Sequence, residues 1–196
     1  MRFIGLLFAL LFSFRTMASS PTDLRLYGEK APVQLYVFTS LSCFFCSEFH
    51  KRILPILKRE YASTGKAQIV MVDLANSDNA LIATALVRCL DGKKREVLED
   101  ELYKNQAQWM RKEVEEAREA LFNYAKRQGM DKKAFNSCIY NTNLRETIME
   151  QQNNLVRLYN VSRSPTLIMR KGTEVRKWEG SDKEAVLKGL KDAFQK

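Results

Sequence analysis

The sequence predicts an α/β fold assembled as a βαβ unit, a long helical insertion and a ββα return. Three observations lead to it. An apolar, β-branched run, Val33 to Thr39, leads into Cys43-Phe44-Phe45-Cys46 and a helix-type segment. A second run, Ala67 to Leu74, is almost continuously apolar, as expected of a strand buried on both faces. From about Asn79 to Tyr159 the pattern is helical and free of proline, and strand patterns return only at Thr166.

Residues 1–18 read as a secretory leader. Arg2 gives a positive start, Phe3 to Phe14 is apolar apart from Ser13, and Thr16-Met17-Ala18 offers small residues for a cut before Ser19. The run falls short of the roughly 20 apolar residues of a membrane span. An uncleaved N-terminal anchor is the alternative. No cysteine follows the run closely, which argues against a lipoprotein.

The first part of the fold covers 19–76. Val33-Gln34-Leu35-Tyr36-Val37-Phe38-Thr39 is its first strand, and a helix is expected over Cys46 to Tyr61, kinked or broken by Pro55. Gly65 turns the chain into the second strand. The insertion covers 77–160, with Gly92 and Gly129 as punctuation. Asp131 can cap a short helix carrying Ala134, Phe135 and Cys138 on one face. The second part covers 161–196. Thr166 to Arg170 and Glu174 to Trp178 form a hairpin about Lys171-Gly172-Thr173. Ser181 or Asp182 then caps a last amphipathic helix bearing Ala185, Val186, Leu187, Leu190 and Phe194.

Composition narrows the function. The formal net charge is +9. Removing Arg2 and Arg15 with the leader leaves 30 basic and 23 acidic residues, mostly interleaved, which describes a solvated surface and not a nucleic-acid interface. All four cysteines (Cys43, Cys46, Cys89, Cys138) would be exported, where disulfides persist; four cysteines permit three pairings.

Cys43 and Cys46 carry the chemistry. Two intervening residues let both sulfurs share the first turn of a helix, where a disulfide can close. There the free N–H groups and the positive end of the helix favour a thiolate. A Cys-x-x-Cys can also be half of a zinc site. Its place after a strand and at a helix start favours redox chemistry.

Further segments share a pattern with one family. They are Cys43-Phe44-Phe45-Cys46-Ser47-Glu48-Phe49-His50-Lys51, Leu54-Pro55-Ile56-Leu57-Lys58, Ala85-Leu86-Val87-Arg88-Cys89, Phe135-Asn136-Ser137-Cys138 and Val161-Ser162-Arg163-Ser164-Pro165-Thr166-Leu167. The chain resembles the DsbA-like exported thiol–disulfide oxidoreductases, a thioredoxin-like fold interrupted by an all-helical insertion. The resemblance runs from about Ala31 to Phe194. It implies that Cys43 is the nucleophile and Cys46 the resolving thiol. It implies too that Pro165 is a cis-proline whose neighbour Ser164 offers its backbone to an extended substrate. The Ser164 hydroxyl can also point toward the sulfur. The resemblance further implies a periplasmic monomer without cofactor or metal. Its partners would be reduced or unfolded exported proteins and a membrane partner that reoxidises it, with no nucleic acid. A disulfide reductase or isomerase of the same fold is the alternative, and a metal-stress binding protein a more distant one.

Two departures bear on tuning. The family often has a buried acid six residues before the first cysteine, and here that residue is Val37. Strong oxidants carry Pro-His between the cysteines, and here Phe44 and Phe45 stand there. The Cys43 thiolate must therefore depend on helix N–H groups, with a pKa below the free value of about 8.5 but above the roughly 3.5 of the strongest oxidants. Phe44 and Phe45 are expected to form an exposed apolar patch for substrate. His50, the only histidine, is expected to be packed or at the surface, with zinc binding or proton transfer as the alternative. Cys89 and Cys138 read either as two buried thiols or as a structural disulfide, and export favours the disulfide. Such a bridge would close a loop of about 50 residues, for which chain entropy allows roughly 4 kcal/mol.

Overall fold

The computed structural model describes residues 24–110 and 112–195; the leader assigned to 1–18 lies outside them. Five strands form one sheet: β1 (Arg25–Tyr27), β2 (Val33–Thr39), β3 (Gln68–Asp73), β4 (Thr166–Lys171) and β5 (Glu174–Glu179), in the order β1-β3-β2-β4-β5. β2 and β3 run parallel, and the other neighbours are antiparallel. The helices are α1 (Phe44–Arg52), α2 (Leu54–Leu57), α3 (Asp78–Arg88), α4 (Gly92–Lys104), α5 (Val114–Arg127), α6 (Lys132–Ile139), α7 (Thr142–Tyr159) and α8 (Lys183–Phe194).

The period of two along β2 divides the core. Leu35 and Val37 face Phe49, Leu54, Leu57, Val186 and Leu190 from α1, α2 and α8. Phe38, on the other face, packs with Val72, Ile168 and Tyr159 of α7. The sheet is thus covered on both sides, and the C-terminal half of α7 belongs to the sheet's own core. Helices α3 to α6 enclose a separate cluster that includes Leu86, Trp109, Leu121 and Phe135. That cluster also takes in Leu41 and Cys46, so the insertion packs directly against the cysteine-bearing loop.

Some details depart from expectation. Strand β1 is absent from the sequence reading because its hydropathy is inverted: Arg25 is buried and Leu26 is 52% exposed. The first helix begins at Phe44, two residues before the expected start, and breaks at Ile53. Pro55 has no N–H to give to the carbonyl of Lys51, so α1 ends and α2 restarts with the proline in its first turn. A π-helical turn, Lys58–Ala62, follows. Asp131 and Asp182 cap α6 and α8, accepting from the N–H groups of Ala134 and Ala185. Ala134 and Ala185 are themselves exposed; the buried faces are Phe135, Cys138 and Ile139 on α6, and Val186, Leu190 and Ala193 on α8.

Gly28 makes a close approach that only glycine allows. Its φ is +81°, and an added Cβ would lie 2.9 Å from the Ala62 carbonyl oxygen and 3.1 Å from the Ala62 Cα. Both obstacles are backbone and cannot rotate away. Gly28→Ala is therefore expected to cost about 1–3 kcal/mol, read as a lowered urea midpoint. An unchanged midpoint would show that β1 and the Lys58–Ala62 turn separate freely.

Candidate active site

The end of β2 positions the cysteines. After Thr39 the chain turns through Ser40-Leu41-Ser42, closed by the Cys43 N–H donating to the Ser40 carbonyl at 3.1 Å. Cys43 is the N-cap of α1. Its carbonyl accepts from the N–H groups of Cys46 (3.1 Å) and Ser47 (3.2 Å), which fixes the first helical turn. This geometry makes the two sulfurs unequal. Cys43 is partly exposed, whereas Cys46 is fully buried and accepts from the Ser40 N–H at 3.4 Å. Neither sulfur is in a disulfide.

The Ser164–Pro165 peptide bond is cis. The Cys43 thiol donates to the Ser164 carbonyl at 3.6 Å across 121 residues of sequence. Ser164 thus turns its carbonyl toward the sulfur. Phe44 and Phe45 are 66% and 60% exposed, edge to face with centroids 5.7 Å apart. Beside Phe44 lies an open groove of about 690 Å³ between α1 and the end of α4, whose walls include Ser47, His50, Lys51, Tyr103 and Lys104.

Electrostatics widen the difference between the thiols. The Cys43 pKa is lowered to about 5, chiefly because the Cys46 thiol hydrogen-bonds its sulfur. Partial burial opposes the shift, while the Ser164 side chain and the Cys46 and Phe45 N–H groups reinforce it. The Cys46 thiol is pushed far above the ordinary range, first by that same hydrogen bond and then by burial. Val37 is fully buried and brings no acid. Tyr103 lies close by: it stacks on His50 at 4.5 Å, and its backbone carbonyl accepts from the Ser47 hydroxyl. Burial pushes its phenol well up, and the charge of Glu99 adds to this.

His50 is packed against Tyr103, and its Nε2 lies 2.5 Å from Asp100 Oδ1. That hydrogen bond holds the Asp100 carboxyl below its ordinary pKa. Among the described residues, no group of three or more His, Cys, Asp or Glu is placed to hold a metal ion. Cys89 and Cys138 are joined in a disulfide between the end of α3 and α6, remote from the Cys43 pair in sequence and in a different cluster. Sequence reasoning did not pick out Ser40, Tyr103 or Gln106. Gln106 donates to two carbonyls of the cysteine loop from 63 and 65 residues away, a pairing no local pattern announces.

A dithiol at a helix N-terminus, faced by a cis-proline loop on this sheet, defines a thiol–disulfide oxidoreductase of the DsbA and thioredoxin type. A thioredoxin family model matches residues 19–188, and the chain belongs to that family. Solved structures share its fold. Wolbachia pipientis alpha-DsbA1 superposes with a TM-score of 0.76 at 19% identity, over 88% of this chain and 90% of that one. BdbD from Bacillus subtilis gives 0.70 at 15%, over 88% and 94%. Chlamydia trachomatis DsbA gives 0.65 at 18%, over 89% and 91%. Comparison with curated proteins finds no match.

Proposed function

We propose that the protein is an exported dithiol oxidase that introduces disulfides into secreted or periplasmic proteins. A substrate thiolate attacks Cys43 Sγ in the oxidised pair, and the Cys43–Cys46 bond breaks. Cys46 leaves with the electron pair and takes up a proton. A second substrate thiolate then attacks the substrate sulfur of the mixed disulfide, releasing oxidised substrate and the Cys43 thiolate. Two electrons pass from substrate to enzyme, and a membrane partner takes them on. The leader-like segment 1–18 supports export. Phe44 and Phe45 offer an apolar contact, and the Ser164-Pro165 backbone a place for an extended chain. The Cys89–Cys138 bridge is structural in this reading.

The observation that carries the reading is the asymmetry of the pair, with Cys43 partly exposed at the helix N-cap and Cys46 buried beneath it. A stabilised thiolate favours the reduced pair and so makes the disulfide oxidising. The sign follows from the lowered Cys43 pKa. Ionisation stabilises the reduced fold above the free thiol range, and this contribution is lost as pH falls through about 5. Alkylation of Cys43 is expected to be half-maximal near pH 5 while Cys46 stays unlabelled. Equilibration with glutathione should place the potential above the roughly −270 mV of a reductant and short of the roughly −120 mV of the strongest oxidant. The protein should also speed disulfide formation in a reduced, unfolded substrate. A potential at or below about −270 mV, with no such catalysis, would assign the reductase role instead.

A further inference from the structure

We infer that Gln106 is a positioning residue for the reactive thiol: its carboxamide, delivered by the helical insertion, clamps the turn that carries Cys43. The inference rests on the reading of Cys43 as the attacking sulfur. Gln106 is 7% exposed, and its Nε2 donates to the Leu41 carbonyl at 2.6 Å and to the Cys43 carbonyl at 3.0 Å. One amide group therefore bridges both ends of the Leu41-Ser42-Cys43 segment. The Cys43 carbonyl is the same oxygen that receives the Cys46 and Ser47 N–H groups. The clamp thus acts on the atom that starts the helix.

The clamp is anchored. Gln106 opens a 3-10 turn, Gln106–Gln108, and its own carbonyl accepts from the Trp109 and Met110 N–H groups at 3.2 and 2.9 Å. Trp109 is fully buried, with its indole N–H on the Leu102 carbonyl at 3.1 Å. The carboxamide is therefore held on a packed piece of the insertion and does not ride on a loose loop.

The clamp keeps the turn in the conformation that leaves the Cys43 sulfur within reach of the Phe45 and Cys46 N–H groups. That favours the charged sulfur, in a site where Phe44, Phe45 and Val37 supply no polar group. The insertion therefore contributes to the reactivity of the thiol as well as to the shape of the surface around it.

The test is Gln106→Met, which keeps the volume and removes the donor. Alkylation of the reduced variant at pH 4 should slow about 3- to 10-fold, the span that one hydrogen bond represents. The glutathione equilibrium constant should move toward the disulfide by a similar factor. A lower urea midpoint with an unchanged alkylation pH profile would make Gln106 a structural residue only and overturn the inference. If Gln106→Met does not fold, the wild-type protein decides. The side-chain amide resonances of Gln106 should shift with the midpoint of Cys43 ionisation in the reduced state and not in the oxidised state, and a flat response in both overturns the inference. Wild-type labelling of Cys46 in place of Cys43 would instead overturn the underlying reading of the pair.

Discussion

Cys43→Ala is expected to abolish disulfide exchange with model substrates, while Cys46→Ala should accumulate stable mixed disulfides. The difference comes from where each sulfur sits. Cys43 is the sulfur that solvent and the Ser164 carbonyl can reach, and it is the one that ionises readily. Without it, the remaining thiol is fully buried beneath the helix start and bonded to the Ser40 N–H, out of a substrate's reach. Burial still disfavours its ionisation, and the thiolate is the nucleophile. Cys46→Ala leaves the reactive sulfur in place but removes the group that would resolve an enzyme–substrate disulfide. Non-reducing electrophoresis with a reduced, unfolded substrate separates the two outcomes. Adducts to Cys43→Ala, or their absence from Cys46→Ala, would reverse the assigned roles.

The cysteine pair was legible because everything that defines it is local: a strand, a two-residue spacing and a helix start within about 20 residues. The central strands were legible for a related reason, since β2, β3 and β4 are buried and read as apolar runs. What escaped is non-local or inverted. Gln106 reaches the cysteine loop only because the insertion folds back over it. Strand β1 places its charged residue inward and its leucine outward, so hydropathy points the wrong way. The signal that could have found the buried charges is their setting. Asp73 ends the apolar run of β3, and Arg88 ends the apolar run of α3, each a charge where the pattern demands burial.

Those charges carry the second large expected effect. Asp73 is paired with Arg25 of β1 and, at 3.0 Å, with Arg88 of α3; Arg25 also pairs with Glu99 of α4. All four side chains are at most 6% exposed. The network ties the edge of the sheet to two helices of the insertion. Burial by itself would raise the Asp73 pKa, but the two guanidiniums outweigh it and hold the carboxyl below its ordinary value. Asp73→Asn removes the anion between the two buried guanidiniums: Arg25 keeps its pair with Glu99, and Arg88 keeps its bond to the neutral Gln151 side chain. Removing one partner of a buried pair costs about 3–5 kcal/mol, because the other charge remains desolvated. Urea denaturation at pH 7 should show a loss of that size. The pH dependence supplies a second readout. A depressed carboxyl stabilises the fold above its unfolded pKa of about 3.9, and this contribution is lost as pH falls through the folded value. The wild-type protein should therefore lose stability below about pH 4 more steeply than Asp73→Asn does. Cys43 should alkylate with the same pH profile in both proteins under native conditions, because no member of the network bonds to its sulfur. A loss of less than about 1 kcal/mol would mean that water already reaches the network, contrary to the burial of its side chains.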